Sequence, residues 1–360
     1  MVNLIMKVMN KILVIGGAGF IGSHLVDKLL ELNFEVKVLD NLTPQVHGLS
    51  SKKPNYLNKR AEFILGDIRD PDSIKKSLEN VDIIFNLASA VSVSQSMYQI
   101  QKYIDINTRG TANLLDVIVN TENSVKKVIL SSSVTIYGEG AYYCQKEKTK
   151  VFPKGRSIID LKNHNWDPFC PSCGSILKSI PTNEDKPLDS QSIYALSKKH
   201  QEELTLLIGK TYGIPAVSLR FFNVYGPRQS ISNPYAGVCQ IFTVRLLNNN
   251  PPIIFEDGRQ TRDFIDVRDV VDSLILSMKS SHADYNSYNV GSGKPTTVLD
   301  IANQLIKILN SKLKPEITNK YRKGDIRNCY ADISKIKRDL NFKPEIKLHD
   351  GLEKLVDWIK

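Results

Sequence analysis

The stretch Lys11-Ile-Leu-Val-Ile15-Gly16-Gly-Ala-Gly19-Phe-Ile-Gly22 constrains this chain more than any other. Ile12 to Ile15 is a short apolar run rich in β-branched residues, which reads as a buried parallel strand. Glycines follow at 16, 19 and 22. The first permits a tight turn, the second lets a pyrophosphate approach the backbone, and the third lets the next helix pack closely on its strand. Phe20 to Leu32 carries a helical stripe of Ile21, Leu25, Leu29 and Leu32. Its N-terminus would meet phosphates with free N–H groups and the positive end of its dipole. A second strand, Glu35 to Leu39, ends in Asp40. A carboxylate there binds the adenosine ribose hydroxyls of NAD and repels the extra phosphate of NADP. A bare glycine turn does not require this order of strand, glycines, helix, strand and terminal Asp.

The alternation continues. Ala61 to Leu65 is a strand closed by Gly66-Asp67-Ile68, where Asp67 either reaches the adenine amino group or caps the helix that starts at Pro71. Val81 to Leu87 is a fourth strand, and the small residues Ala88-Ser89-Ala90 let the backbone run close to a cofactor. Ser96 to Thr121 reads as one long helix with Asn107 partway along, and Val125 to Leu130 as a fifth strand ending in Ser131-Ser132-Ser133-Val134-Thr135. A helix from Tyr194 to Tyr212 leads to a sixth strand before Arg220. The pattern predicts a doubly wound parallel α/β sheet with its ligand at the carboxyl ends of the strands. Phe20, Ile21, Asn41, Ile68, Leu87, Ala88, Asn107 and Phe221 sit at or beside those ends and complete the expected cofactor contacts.

Residues 139–182 break the rhythm, without clear helical or strand periodicity, and read as an inserted flap holding Cys144, Cys170 and Cys173. Beyond Asn223 the elements are shorter and loop-rich, with helices near 238–249, 267–279 and 297–310. The expected division is a cofactor domain over 1–222, with 262–280 packing on it, and a smaller substrate lobe over 223–261 and 281–360.

A chain of 360 residues, 41% hydrophobic, is long enough for a large core. It has no run of about 18 apolar residues, so no membrane span is expected. Met1 to Met9 lacks the length and cleavage site of a signal peptide. A cytoplasmic protein with five reduced cysteines is therefore expected. The net charge of +10 is spread along the chain and accompanied by no nucleic-acid-binding motif. It reads as a Lys-rich surface with an anion-binding cleft rather than a nucleic-acid partner.

Tyr194-Ala-Leu-Ser-Lys198 places two side chains on one helical face. An ammonium near a phenol favours the phenolate, and such a Tyr acts as general base or acid in oxidising a sugar alcohol. The same spacing occurs at Tyr98/Lys102 and Tyr142/Lys146. Only Tyr194 follows the serine-bearing strand end and precedes another sheet strand. Its expected partner is Ser133, with Ser132 as a close rival. Thr135 either reaches the sugar or simply packs.

The glycine stretch, the serine triplet, Tyr194-x-x-x-Lys198 and Arg262-Asp-Phe together resemble the extended short-chain dehydrogenase/reductase family, in its NAD-dependent sugar-nucleotide epimerase branch. The resemblance implies a Rossmann-like fold and a tightly bound NAD. It also implies a nucleotide-diphosphate sugar that is oxidised at C4, turned over and reduced on the other face. Dehydratases of the branch carry a carboxylate just after a Thr at the site of Thr135, which is absent here. By the same resemblance Asn223 contacts sugar or diphosphate, Arg262 and Arg322 the diphosphate, and Asp325 the nucleotide ribose. Relatives pair through two long helices each, forming a four-helix bundle, and Ser96 to Thr121 and Tyr194 to Tyr212 would serve here, so a homodimer is implied.

Asp40-Asn-Leu-Thr-Pro-Gln-Val-His47-Gly48, Gln95-Ser-Met-Tyr98, Ile136-Tyr-Gly-Glu-Gly140 and Asn233-Pro-Tyr-Ala-Gly237 are similar to a narrower group, the bacterial dTDP-L-rhamnose 4-epimerases. The UDP-glucose 4-epimerases and the nucleotide-sugar 4-ketoreductases are the alternatives. Asp266 stands where many relatives have His. The flap also resembles zinc ribbons of that group. Cys170/Cys173 form one knuckle, and Cys144 half of another. Glu147 or His164 would complete the set, or the ribbon is metal-free.

Overall fold

Apolar runs build the central sheet of the computed structural model, which describes residues 11–49, 52–230, 237–322 and 324–360. The Met1–Met9 stretch and residues 233–236 of the Asn233 motif lie outside the described residues. Five strands come first: β1 (Lys11–Ile15), β2 (Glu35–Asp40), β3 (Glu62–Leu65), β4 (Ile83–Asn86) and β5 (Lys127–Ser133). The connecting helices are α1 (Phe20–Glu31), α2 (Pro71–Ser77), α3 (Ile100–Tyr103) and α4 (Gly110–Asn120). After the flap come α5 (Ile193–Tyr212) and β9 (Ala216–Phe221). The flap strands are β6 (Ala141–Cys144), β7 (Thr149–Val151) and β8 (Lys178–Ile180).

Alternate residues of β1 serve two cores. Ile12 and Val14 pack with Leu25 and Leu29 of α1 on one face. Leu13 and Ile15 pack with Ile74 of α2 and Leu114 and Ile118 of α4 on the other. Each such fully buried aliphatic side chain stabilises the fold by about 1.5–3 kcal/mol.

Beyond Phe222 the lobe is built from β10 (Asn223–Tyr225), α6 (Val238–Leu247), β11 (Thr261–Asp266), β13 (Pro295–Thr297), α8 (Val298–Ile308), β14 (Asn328–Cys329), α9 (Ser334–Leu340) and α10 (Leu348–Ile359), and the same stretch of chain supplies α7 (Val267–Lys279) and β12 (Asn286–Val290) to the central sheet. Phe242, Phe264, Ile301, Leu305, Leu352 and Leu355 form the lobe's separate core. Val270 and Leu274 of α7 join the core of the central sheet instead.

Three expectations change. The central sheet has seven parallel strands, ordered β3-β2-β1-β4-β5-β9-β12. Asn286–Val290 therefore belongs to the sheet and not to the substrate lobe. Its Asn-Ser-Tyr-Asn-Val sequence is too polar to read as a buried strand, yet it pairs with β9 from Val217 to Phe221. The long helix Ser96–Thr121 is interrupted: a helical turn ends at Ser96, α3 begins at Ile100, and Ile104–Arg109 is π-helical before α4. A π segment widens the helix locally and often marks a functional site. The flap is not aperiodic: β6 pairs antiparallel with both β7 and β8. Strands of three or four residues are too short to show alternation. Among the described residues no helix is long and apolar enough to cross a membrane.

Candidate active site

The glycines form a cradle. Gly16 has φ +79°, and a Cβ on it would lie 2.8 Å from the Ala88 nitrogen. A Cβ on Gly22 would run into the Gly16 carbonyl oxygen. Gly19 is the N-cap of α1 and contributes no side chain, so the helix end is open to a ligand. Gly16, Gly19, Phe20, Ile21 and Gly22 line a cleft of about 540 Å³. Leu87, Ala88, Ile68 and Phe221 line it farther along.

Asp40 stands at the end of β2. Its carboxylate accepts hydrogen bonds from the Ala18 amide at 3.0 Å and the Leu42 amide at 2.9 Å. Burial raises its pKa, while those amides and nearby His47 act against the rise. The Asn41 amide donates to Asp67 at 2.8 Å. Burial works against ionisation of Asp67, but Arg69 and Asn41 outweigh it and hold its pKa at about 2. Asp67 lines the cleft with its carboxylate engaged by those two groups.

Asn107 is fully buried within the π segment. Its side chain accepts from the Ala90 amide at 2.8 Å and donates to Ser197 at 2.9 Å and to the Ala90 carbonyl at 3.1 Å. The expected cofactor contact is thus corrected: Asn107 fastens the Ala88–Ala90 loop to α5 and does not line the cleft.

Ser192 caps α5 by accepting the Ala195 amide at 3.1 Å, which places Tyr194 in the first turn at the cleft. The Thr135 hydroxyl donates to Ser133 Oγ at 2.9 Å, and Ser133 stands near enough to the Tyr194 phenol to favour its ionisation. Ser133, not Ser132, is therefore the serine that reaches Tyr194. The Tyr103 ring packs edge-on to Tyr194, 6.2 Å between centroids. Burial pushes the Tyr194 pKa up to about 12 against the influence of Ser133, the opposite of the lowered phenol expected from spacing. Burial also pushes Lys198 down to about 7, with the charge of Glu202 opposing it. Glu202, one further turn along, is fixed by Arg220 Nε at 3.0 Å and Ser218 at 2.9 Å. Its spacing from Lys198 was a signal that the sequence reading did not use. The other two Tyr/Lys pairs are bonded differently: Lys102 lines the cleft and donates to Gln45 at 3.1 Å, and Tyr142 donates to Glu139 inside the flap.

Asn223 lines the cleft with Ser133 and Thr135. Arg262, Arg322 and Asp325 do not, and instead gather in the lobe. The Arg262 guanidinium donates to the carbonyls of Thr261, Ile326 and Arg327 at 2.7–3.0 Å. Arg322 lies over the Phe255 ring at 4.1 Å. Burial raises the Asp325 pKa, while Arg262, Arg322 and Arg156 oppose it. Asp266 is buried as the N-cap of α7 and pairs with Arg268 at 2.8 Å. Sequence reasoning missed Arg156, Glu256 and Arg327, whose buried charges meet beside this group.

In the flap, the sulfurs of Cys144, Cys170 and Cys173 lie within 4.8 Å of one another. Glu147 meets the cluster only through its backbone amide, 3.4 Å from Cys144 Sγ, and exposed His164 stacks on Trp166. Neither carries a ligand atom into the cluster. Ser175 Oγ is the fourth neighbour, 3.4 Å from Cys144 Sγ and 3.0 Å from Cys173 Sγ.

A family model described as GDP-mannose 4,6 dehydratase matches residues 13–156 and 174–355, leaving part of the flap unmatched. The chain is 32% identical over 97% of its length to a dTDP-L-rhamnose 4-epimerase of Burkholderia thailandensis, of which 94% is covered. It is 35% identical, over 97% of itself and 98% of the relative, to a putative UDP-glucose 4-epimerase of Methanocaldococcus jannaschii. The solved UDP-glucuronic acid 4-epimerase of Bacillus cereus, in complex with UDP-glucuronic acid and NAD, superposes with a TM-score of 0.79 at 29% identity. That match covers 97% of this chain and 98% of that one. The chain belongs to the GDP-mannose 4,6 dehydratase family of extended short-chain dehydrogenases/reductases and stands there among the nucleotide-sugar epimerases, which are isomerases.

Proposed function

We propose that the protein is an NAD-dependent nucleotide-sugar 4-epimerase whose substrate pair is dTDP-L-rhamnose and dTDP-6-deoxy-L-talose. The meeting of Thr135, Ser133, Tyr194 and Lys198 in the cleft into which the glycine cradle opens carries the reading. The cradle fits a dinucleotide: side chains at Gly16 or Gly22 would fill it, the end of α1 is open, and Asp40 closes β2. NAD supplies a hydride acceptor for oxidation at C4 and a donor for its reversal.

Tyr194 takes the proton of the C4 hydroxyl and later returns it. Ser133 holds the same hydroxyl by a hydrogen bond. Lys198, one turn along α5, stabilises the phenolate whenever it carries its proton. Gly16, Gly19 and Asp40 would hold the dinucleotide, and Asn223 the sugar. By the family resemblance, Arg262, Arg322 and Asp325 would hold the diphosphate and ribose. Thr135 is followed by Ile136, so no carboxylate stands there to expel water from the keto sugar. That favours epimerisation over dehydration.

Two observations support the dTDP-L-rhamnose reading: the Burkholderia relative, and the Pro44–His47 turn, whose Gln45 and His47 line the cleft. The Methanocaldococcus relative favours a UDP-glucose-type epimerase as the second reading. The test is incubation with dTDP-L-rhamnose and no added cofactor, followed by proton NMR of the anomeric signals. A mixture of C4 epimers supports the proposal. Turnover of UDP-glucose alone selects the second reading. Conversion of only a 4-keto sugar, with NADPH consumed, makes the enzyme a ketoreductase.

The proposal extends to a structural zinc on Cys144, Cys170 and Cys173, with Ser175 or a water beside it in fourth place. Less than about a tenth of an equivalent of zinc in the purified protein ends that part of it. It extends also to a homodimer through α4 and α5, supported by exposed Leu207 and Tyr212 on α5.

A further inference from the structure

The flap is tied to the lobe by buried charge. Arg156 lies between β7 and the short helix Ile158–Lys162, and its side chain is only 2% exposed. Its Nη2 donates to Glu256 Oε1 at 2.6 Å and to the Asp325 carbonyl at 2.8 Å. Its Nη1 donates to the Trp166 carbonyl at 3.2 Å. A second arginine crosses the other way. Arg327 of the lobe reaches Asp167 of the flap at 2.9 Å, and also Asp257 at 2.6 Å and Glu256 Oε2 at 3.1 Å. Glu256 thus sits between two guanidinium groups.

Glu256 adopts φ +55°, a left-handed conformation unusual outside glycine. A strained backbone persists where the surroundings over-determine it. Here the two arginines supply that constraint. Phe255, the neighbour of Glu256, carries the Arg322 guanidinium on its ring, and the Asp325 amide donates to the Arg322 carbonyl at 3.3 Å. Arg156 therefore holds both sides of one arrangement: the Phe255–Glu256 backbone through the carboxylate, and Asp325 through its carbonyl.

We propose that Arg156 makes the flap part of the substrate site, as a positioning residue that sets Arg322 and Asp325 against Phe255 to receive the nucleoside-diphosphate end of the substrate. The inference rests on the reading above that Arg322 and Asp325 contact that end. It assigns the flap to binding and leaves the chemistry at Tyr194 untouched. Arginine suits the place because its planar fork spreads donors over two terminal nitrogens toward three acceptors, where a lysine offers one point charge at a single nitrogen.

The test uses the full-length enzyme with its retained NAD. Binding of UDP and dTDP is measured by calorimetry, and KM and kcat on the matching nucleotide sugar. Arg156→Met is expected to raise Kd and KM together by about tenfold, with kcat within about twofold and NAD content unchanged. Arg156→Lys, which keeps the charge but not the fork, is expected between that variant and the parent. Lys162→Ala, exposed on the same flap, changes none of them. Kd and KM within about twofold of the parent in both Arg156 variants overturn the proposal, as does a fall in kcat matching that in kcat/KM. Where Arg156→Met does not fold, Arg156→Lys decides by the same criteria. Asp325→Asn separates the layers. If it alone weakens binding, Asp325 touches the nucleotide and Arg156 does not position it. If only the Arg156 variants weaken binding, the positioning stands and acts through Arg322. Binding of neither UDP nor dTDP to the parent defeats the nucleotide reading and this inference with it.

Discussion

At Tyr194 and Lys198 burial acts on both partners of a pair at once. The phenol is pushed up to about 12 and the amine down to about 7, so both favour the neutral form without ligands. Tyr194→Phe keeps the shape and loses the proton-carrying oxygen. It should lower kcat by about 10²–10⁴-fold with little change in NAD content, measured by turnover and by absorbance of the extracted cofactor. Lys198 also makes stability depend on pH. Its folded pKa lies below the unfolded value of 10.5, so the unfolded chain binds more protons between pH 7 and 10.5. Its contribution therefore destabilises fully below about pH 7, and stability recovers as pH rises through that window. Urea midpoints of the NAD-free protein should show a rise of up to about 1.4 kcal/mol per pH unit, absent in Lys198→Met. Equal slopes in the two proteins would show that Lys198 is charged when folded. The Tyr–Lys spacing was readable in the sequence, but the depth of burial that reverses the phenol's shift was not.

Among the elements, the π segment carries a specific burden. Asn107 inside it bonds to both backbone groups of Ala90, to Ser89 and to Ser197. Asn107→Leu should cost about 1–3 kcal/mol, because the Ala90 amide loses its acceptor while Ser197 and the Ala90 carbonyl each lose one of two partners. The same variant should retain less NAD, since the Ala88 backbone is one wall of the glycine cradle. A thermal melt and the cofactor content check both; an unchanged melting temperature would count against this account. A sharper effect is expected at Gly22, where the Cβ of Ala would meet the backbone carbonyl of Gly16, which cannot swing aside as a side chain can. NAD should be lost there even in folded protein. Five of the seven sheet strands follow apolar runs, and β9 follows from the helix before it. The interrupted helix was not legible, because a widened turn leaves the 3.6-residue apolar stripe nearly intact while side-chain bonding sets the break.

In the whole molecule, two cores divided by one sheet fix the cofactor half, and a third core fixes the lobe. The cofactor cradle was legible because its glycines and Asp40 are close in sequence. The substrate group was less so. Arg262, read as a diphosphate ligand, spends its donors on three backbone carbonyls, and the charges beside it come from positions as distant as Arg156 and Arg327. No local pattern announces such a meeting. If the exposed apolar residues Leu207 and Tyr212 on α5 are covered by a second copy, sedimentation should show a dimer. Leu207→Glu should then shift it to monomer without changing the melting temperature of the protomer by more than a few degrees. A parent that sediments as a monomer at micromolar concentration removes the bundle from the proposal.

The placement of β12 has a consequence for the chain as it is made. The outer edge of β9 is covered by a strand supplied from far downstream, after β11 of the other half and α7 have been laid down. During synthesis β9 ends at Phe221 and therefore waits, with a row of unpaired N–H and C=O groups, until the chain has been extended to Val290, the state in which sheet edges recruit other chains. A truncation after Phe222 would leave that edge open permanently. The chain up to Phe222 is a nucleotide-binding unit in outline only, and its solubility depends on a strand that arrives more than sixty residues later.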